Sequence, residues 1–174
     1  YNRGLCLQRM SRLPEAADAM RAAARDPVDN ELTRDASFRL AVLGEQAQEP
    51  RWVVEATDAL LARSRLEITD RVEALARRAS ALLAQGDRDG AQRVAEEAAQ
   101  VAPTPEAVSA LGDDTYAAQA RVVLAEVTRL RAADVIYRVE ETNAEESITR
   151  RVQLVTHAHV QFNEAIRVGN PHWA

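Results

Sequence analysis

Small residues recur along the first hundred positions at intervals that suit pairs of packed helices. In three places a glycine or alanine is followed twelve residues later by an alanine and sixteen residues later by another apolar residue. Two helices approach closely only where neither side chain at the crossing is bulky. Each small pair therefore predicts a helix hairpin. The predicted facing pairs are Gly4 with Ala16, Gly44 with Ala56, and Ala79 with Ala91.

Polar or helix-breaking dipeptides lie between the two halves of each hairpin, where a short connection is needed. These dipeptides are Ser11–Arg12, Glu49–Pro50 and Gly86–Asp87. The spacing predicts three repeat units, over residues 1–28, 31–66 and 70–103. The first helix of the second unit is expected to run from about Glu31 to Gln48. Its expected apolar stripe comprises Leu32, Ala36, Leu40 and Leu43.

The composition favours helices throughout the chain. Hydrophobic residues make up 47% of the 174 residues, but only 4% of the residues are aromatic, and alanine is abundant. Small helix-forming residues suit close helix packing, whereas sheets favour β-branched and aromatic side chains. We therefore predict an all-α fold in a single domain over residues 1–174, a length that can bury a core of its own.

Two stretches of the chain have the residue pattern of a known repeat family. The first comprises Tyr1-Asn2-Arg3-Gly4, Pro14-Glu15-Ala16, Met20, Ala23 and Asp26-Pro27, and the second comprises Ala79, Leu82, Gly86-Asp87, Ala91, Ala95, Ala98 and Pro103. Both resemble tetratricopeptide repeats. The middle unit departs from that pattern in two ways. Its spacing from the first unit is six residues longer than the usual 34, and Arg63 stands where the family has a small residue. The resemblance implies a right-handed α-solenoid of antiparallel helix pairs.

The resemblance also implies a concave face that holds a protein or peptide partner. Carried over position by position, its lining would be Tyr1, Leu5, Gln8 and Arg9 in the first unit, Phe38, Ala41, Glu45 and Gln48 in the second, and Glu73, Ala76, Arg77 and Ser80 in the third. Apolar side chains beside arginines suit an extended or helical peptide with apolar anchors and some acidic character.

Residues 105–174 continue as helices that diverge from the repeat pattern. We expect a short helix over 105–110, a long helix capped by Asp113 or Asp114, and a last helix that begins at a capping box around Thr142–Asn143 and ends at Gly169-Asn170-Pro171. The expected apolar stripe of the long helix is Tyr116, Ala120, Val123, Val127 and Leu130, and that of the last helix is Ile148, Val152, Val155, His159, Phe162 and Ile166. Residues 134–141 fit either a helix or an irregular arm.

Several function classes find no support in the residues. The chain has 22 basic and 27 acidic residues, so its net charge of −5 disfavours a nucleic-acid partner. No apolar run is long enough for a membrane helix. His157 and His159 point in different directions on a helix and cannot share a metal ion. We expect no enzymatic activity, no cofactor and no metal. Cys6, between two leucines, is expected to be buried.

Three functions are compatible with this pattern. The first is a scaffold that binds a protein or peptide partner. The second is a structural spacer or oligomerisation module, able to self-associate, within a larger bacterial envelope or secretion assembly. The third is the regulatory region of an enzyme whose catalytic domain lies elsewhere. Arginine and alanine usage suggests a GC-rich bacterial source, in the cytoplasm or the periplasm. Both ends resemble cuts through a longer array, so a longer natural protein is expected.

Overall fold

A computed structural model describes residues 1–26, 28, 30–102, 107–108, 115–136 and 143–168. Within these ranges the chain forms eight long helices and no strand, so the prediction of an all-α fold is confirmed. The helices are α1 (Asn2–Arg9), α2 (Leu13–Ala24), α3 (Glu31–Gln46), α4 (Pro50–Leu61), α5 (Ile68–Ala84), α6 (Arg88–Val101), α7 (Thr115–Asp134) and α8 (Ala144–Val168).

Each helix packs mainly against its neighbours along the chain. Helices α1 and α2, α3 and α4, and α5 and α6 form hairpins, and α8 packs along α7. Helix α5 also packs against α7, two helices further on. The three hairpins each have a three-residue connection, over 10–12, 47–49 and 85–87. These connections contain residues of all three predicted turn dipeptides.

The three hairpins share one turn geometry. The middle residue of each connection has a positive φ, at 58° for Ser11, 54° for Gln48 and 83° for Gly86. The next backbone N–H donates to a carbonyl five residues earlier, which satisfies the end of the first helix as in a Schellman turn. These bonds run from Arg12 to Leu7 at 2.9 Å, from Glu49 to Gly44 at 2.8 Å and from Asp87 to Leu82 at 3.0 Å.

This shared turn corrects the register predicted for the second unit. The turn residues Ser11, Gln48 and Gly86 are 37 and then 38 positions apart, whereas the small-residue columns implied intervals of 40 and 35. Ala41, and not Gly44, is therefore equivalent to Ala79. The prediction was wrong by three residues because Ala41 and Gly44 are both small and lie one helical turn apart.

The close contacts in the hairpins also differ from the predicted pairs. A methyl group at Gly44 would lie 2.8 Å from Val53 Cγ2 and 3.0 Å from the Val53 backbone nitrogen. A methyl group at Gly4 would lie 2.8 Å from Met20 Cε. The atoms nearest to a methyl group at Gly44 are therefore those of Val53 and Glu49, and those nearest to a methyl group at Gly4 belong to Met20. Glycine is needed at position 44 because backbone atoms, which cannot move aside cheaply, approach it.

Three smaller predictions about α1 and α3 are wrong. Helix α3 ends at Gln46, because the left-handed backbone of Gln48 is incompatible with a helix that runs on to that residue. Leu32 is 51% exposed, while the rest of its predicted stripe is buried, because Thr33, and not Leu32, is the residue buried in the first turn of α3. Cys6 is exposed, because Gly4 and Leu7 form the buried face of α1.

The two long helices after residue 114 differ in how well their stripes were predicted. On α7 the stripe faces inward: Ala120, Val123 and Val127 are buried, and Tyr116 and Leu130 are half-buried. The prediction for α8 is wrong, because the predicted stripe is not the face that packs against the rest of the chain. Ile148, Val152, Val155, His159 and Ile166 are exposed and Phe162 is half-buried, whereas Ala158, Ala165 and Val168 are buried and Leu154 and Gln161 are half-buried.

Several predicted features of the last third lie wholly or partly outside the described residues. These are the short helix over 105–110, of which only 107–108 are described, the caps at Asp113, Asp114 and Thr142, and the terminator at Gly169-Asn170-Pro171. Of the stretch 134–141, Asp134 ends α7 and residues 135–136 are not helical. None of the described helices is both long enough and apolar enough to cross a membrane.

The close approach of Val53 and Glu49 to Gly44 predicts an unusual cost for a single methyl group. We expect Gly44→Ala to lower the free energy of unfolding by about 1–2 kcal/mol, because the hairpin must open to admit the methyl. Gly4→Ala is the matched control. It should change stability by less than about 0.5 kcal/mol, because the flexible end of Met20 can shift and alanine favours the helix. Urea unfolding, followed by circular dichroism, measures the stability change of both variants. Equal losses would contradict the assignment of Gly44 as a position that requires glycine.

Candidate functional site: a recess beside a buried arginine

A recess of about 320 Å³ opens between the α3–α4 turn and the C-terminal half of α5. Its lining residues are Gly44, Glu45, Gln48, Pro50, Val53, Arg77, Ser80, Ala81 and Ala84. Four of them, Glu45, Gln48, Arg77 and Ser80, belong to the set predicted to line a partner-binding face. The buried part of the lining is formed mainly by Gly44, Val53 and Ala81, so the recess combines small apolar walls with polar groups.

Local structure places these residues around the recess. The left-handed turn at Gln48 ends α3 and directs the chain into α4. Pro50 then suits the first turn of α4, because an N–H there would have no helical partner. The absence of a side chain at Gly44 allows α4 to approach closely. The result is an open corner next to Ser80 and Ala84 of α5.

Arg77 forms the polar boundary of the recess and is almost fully buried. Its Nη1 donates to Glu45 Oε2 of α3 at 2.5 Å, and its Nε donates to Glu73 Oε1, one turn earlier on α5, at 2.8 Å. Its Nη2 donates to the hydroxyl oxygen of Tyr116 on α7 at 2.5 Å, and its guanidinium carbon lies 4.9 Å from the centre of that ring. One guanidinium therefore connects α3, α5 and α7.

The surroundings of Arg77 keep it charged. Burial alone would lower the pKa of Arg77, but hydrogen bonds and charge attraction from Glu45 and Glu73 outweigh burial and raise that pKa above its ordinary value. Burial raises the pKa of Tyr116; the positive charge of Arg77 opposes this rise and Glu73 adds to it. At neutral pH Arg77 is therefore a cation and Tyr116 a neutral phenol.

These contacts change the role predicted for Arg77. The sequence placed it on the binding face as a cation for an acidic peptide, but intramolecular partners occupy its Nε and both of its terminal nitrogens. Glu45 keeps 42% of its side chain exposed beside it. The recess therefore offers an acidic edge and no available cation from Arg77.

Ser80 and Gln48 remain as the neutral polar groups of the recess. Ser80 Oγ accepts a hydrogen bond from Gln119 Nε2 of α7 at 2.8 Å, which leaves its O–H free to donate. Gln48 is exposed, and its amide can both donate and accept. Both can bond a peptide backbone placed across the mouth of the recess.

The other predicted lining residues lie outside this recess. Tyr1 and Leu5 pack in part against the core around Leu7 and Met20, and Tyr1 also lines a separate recess of about 380 Å³ between α1 and α2. Gln8 Nε2 donates to Gln46 Oε1 of α3 at 3.1 Å. Phe38 is half-buried and Arg9 is exposed, and neither lines the recess; Ala41 and Ala76 are fully buried.

Sequence reasoning missed three residues that hold this region together, which are Asp70, Tyr116 and Gln119. Asp70 Oδ2 accepts from Arg34 Nη1 at 3.2 Å and links α3 to α5. Tyr116 and Gln119 contact Arg77 and Ser80, and in both pairs the two residues are 39 positions apart. That common offset, close to the 37 and 38 between successive turns, is the signal that could have identified them.

The described part of the chain contains no group of three or more histidine, cysteine, aspartate or glutamate side chains able to hold a metal ion. His157 and His159 are both exposed, and His159 Nε2 lies 3.1 Å from Asn163 Nδ2. A scan of protein-family models and comparisons with curated proteins and with solved structures found no match to this chain. The interpretation of the recess therefore rests on its geometry.

The Arg77 cluster predicts a large stability loss when the cation is removed. We expect Arg77→Met to lower the free energy of unfolding by about 2–4 kcal/mol, because two carboxylates and a hydroxyl lose their common partner while partly buried. Arg9→Met, at an exposed arginine, is the control and should stay within about 0.5 kcal/mol of wild type. Urea denaturation of both proteins measures the difference, and a loss at Arg77 no greater than at Arg9 would exclude a stabilising role for the cluster.

The raised pKa of Tyr116 predicts a stability loss in alkali. The folded protein holds the phenol proton more tightly than the unfolded chain does. Tyr116 therefore contributes its stability in full below the pKa of an unfolded tyrosine, which is about 10. This contribution is lost as the pH rises through the pKa of Tyr116 in the folded protein. We expect wild type to lose more stability above about pH 10 than Tyr116→Phe, which cannot ionise. Thermal unfolding midpoints across this range test it, and parallel curves would contradict it.

Proposed function

We propose that this chain is a protein-interaction module that holds an apolar side chain of a peptide in the recess between α3, α4 and α5. The observation that supports the proposal is the recess itself, which has small apolar walls and two neutral polar groups at its mouth. Binding sites for peptide side chains have this character: an apolar pocket provides affinity, and a few polar groups orient the backbone.

The proposal includes a right-handed α-solenoid of the tetratricopeptide type. Three hairpins with the same turn at intervals of 37 and 38 residues support a repeating unit. The offset of 39 residues between α5 and α7 contacts supports a fourth pair, made of α7 and α8. In such an array the first helices of successive pairs lie side by side. The contacts Gln8–Gln46, Glu45–Arg77 and Ser80–Gln119 between them agree with that arrangement.

The size and charge of the recess narrow the class of peptide. A volume of about 320 Å³ is at the low end for ligand pockets and suits one large side chain, such as leucine or phenylalanine. Arg77 is neutralised by its partners, and Glu45 is partly exposed beside it. An acidic peptide is therefore disfavoured, and a neutral or basic peptide with one apolar anchor replaces the acidic partner expected from the sequence.

A second function, self-association, is supported by a different observation, the exposed side chains of Ile148, Val152, Val155 and Ile166 on α8. The two functions use separate surfaces, because no α8 residue lines the recess. The proposed binding of a peptide in the recess requires only one copy of the chain.

Selection from a displayed library of random peptides tests the proposal. The purified chain is the target, and Ala84→Trp, which fills the recess from an exposed position, is the counter-target. We expect the enriched peptides to share one large apolar residue in a neutral or basic context. Fluorescence anisotropy with a labelled consensus peptide should then give at least about tenfold weaker binding to Ala84→Trp, because the anchor loses its pocket.

Ala133→Trp is the matched control, because Ala133 is also an exposed alanine in the last turn of a helix but lies on α7, outside the recess. It should bind the consensus peptide within about twofold of wild type. The proposal would be wrong if no peptide were enriched, or if the enriched peptides bound both tryptophan variants equally well.

A further inference from the structure

Glu45 brings a carboxylate to the edge of the recess with only one of its oxygens engaged. Its Oε2 accepts from Arg77 Nη1, and no group in the described part of the chain donates to its Oε1. The side chain lines the recess and is 42% exposed, so a ligand in the recess can reach it. A carboxylate has several acceptor positions, and this one can therefore accept a further charge-assisted hydrogen bond.

Arg77 holds the Glu45 carboxylate in position. While its Nη1 donates to Glu45, its Nε donates to Glu73 and its Nη2 to Tyr116, so the guanidinium is itself fixed from three sides. An isolated surface glutamate loses side-chain freedom when it pairs with a ligand, and this loss offsets much of the attraction. Glu45 has already lost part of that freedom in the folded chain, which favours binding.

The charges at this boundary of the recess leave an excess of negative charge. Two glutamates, Glu45 and Glu73, pair with the single Arg77, so the formal charge of the group is −1. The remaining lining residues of the recess are uncharged. A cationic group placed beside Glu45 is therefore attracted, and an anionic group at the same place is repelled.

The edge of the recess lies close to any anchor side chain inside it. A compact volume of about 320 Å³ is about 8 Å across, and an extended peptide advances about 3.3 Å per residue. A residue one or two positions from the anchor is therefore level with Glu45. One free oxygen accepts a hydrogen bond from either a guanidinium or an ammonium group, so both arginine and lysine suit this position.

We propose that Glu45 is a specificity-determining residue of the recess, and that its Oε1 binds an arginine or lysine of the peptide within two positions of the apolar anchor. This inference rests on the proposed function, because it requires a peptide in the recess. It adds the group that is recognised and the atom that recognises it. Glu45 thereby selects a basic flank over a neutral one, which the apolar walls alone do not distinguish.

Three versions of the consensus peptide from the library selection test the proposal. They have blocked ends and differ at one residue, which is arginine, citrulline or glutamate, placed in turn at each of the two positions on either side of the anchor. Citrulline has the shape of arginine without its charge. At one or more positions, fluorescence anisotropy should give about three- to fivefold tighter binding of arginine than of citrulline, the range for a partly exposed ion pair. Glutamate should bind most weakly.

Glu45→Gln removes the charge but keeps an oxygen that can accept from Arg77. We expect this variant to bind the arginine and citrulline versions within about 1.5-fold of each other, because the charge attraction is lost. Glu49→Gln is the matched control, since Glu49 is an exposed glutamate of the α3–α4 connection that does not line the recess. It should keep the preference of wild type. A loss of stability would weaken both versions alike, so the ratio reports recognition.

Equal binding of the arginine and citrulline versions to wild type would overturn the inference, and the proposed function would stand because the anchor still binds. A preference that survives Glu45→Gln, or that Glu49→Gln abolishes equally, would also overturn it. Failure of every version to bind would contradict the peptide-binding function of the recess and this inference with it.

Discussion

The burial of one guanidinium is the constraint on which the middle of this structure depends. A buried charge is costly unless it is paired and hydrogen-bonded, and Arg77 is held in this way where α3, α5 and α7 present Glu45, Glu73 and Tyr116 together. Arg121, which is also buried, instead donates to the backbone carbonyls of Ala117 and Ala102. Burial lowers the pKa of Arg121, opposed by Glu164, whereas the carboxylates around Arg77 raise its pKa. Arg77 therefore connects α3 to α5 through charge pairing and α5 to α7 through the neutral Tyr116, while Arg121 connects the end of α6 to α7.

The same cluster determines which surfaces remain for partners. Because Arg77 is neutralised internally, the recess beside it is an apolar pocket with neutral polar groups and one acidic edge. Helix α8 packs along α7 with Ala158, Ala165 and Val168 buried, which leaves its narrow stripe exposed. The two proposed interactions are consequently of different kinds. One is the capture of a single side chain by a small pocket, and the other is self-association through the exposed apolar face of α8.

Much of the helical framework was predictable, but the packing faces were less so. The hairpin connections followed from turn-forming dipeptides, and four lining residues of the recess were in the predicted set. The register of the second unit was not predictable, because Ala41 and Gly44 satisfy the small-residue pattern equally well. On α8, Leu154, Ala158, Gln161, Ala165 and Val168 form a second line with nearly the same period as the exposed stripe. Hydrophobicity alone favoured the larger side chains, whereas the buried line contains two alanines.

The sequence by itself determined that the chain is helical and where its hairpins turn. These properties depend on signals within a few residues, such as alanine content, prolines at helix starts and the polar or helix-breaking dipeptides of the connections. Only the tertiary structure decided that Arg77 is an internal cation, that Val53 faces Gly44 and that α8 presents its larger side chains outward. The partners of Arg77 on α3 and α7 lie 32 and 39 positions away. Whether a side chain is buried or paired depends on the helix that packs against it, which no local pattern specifies.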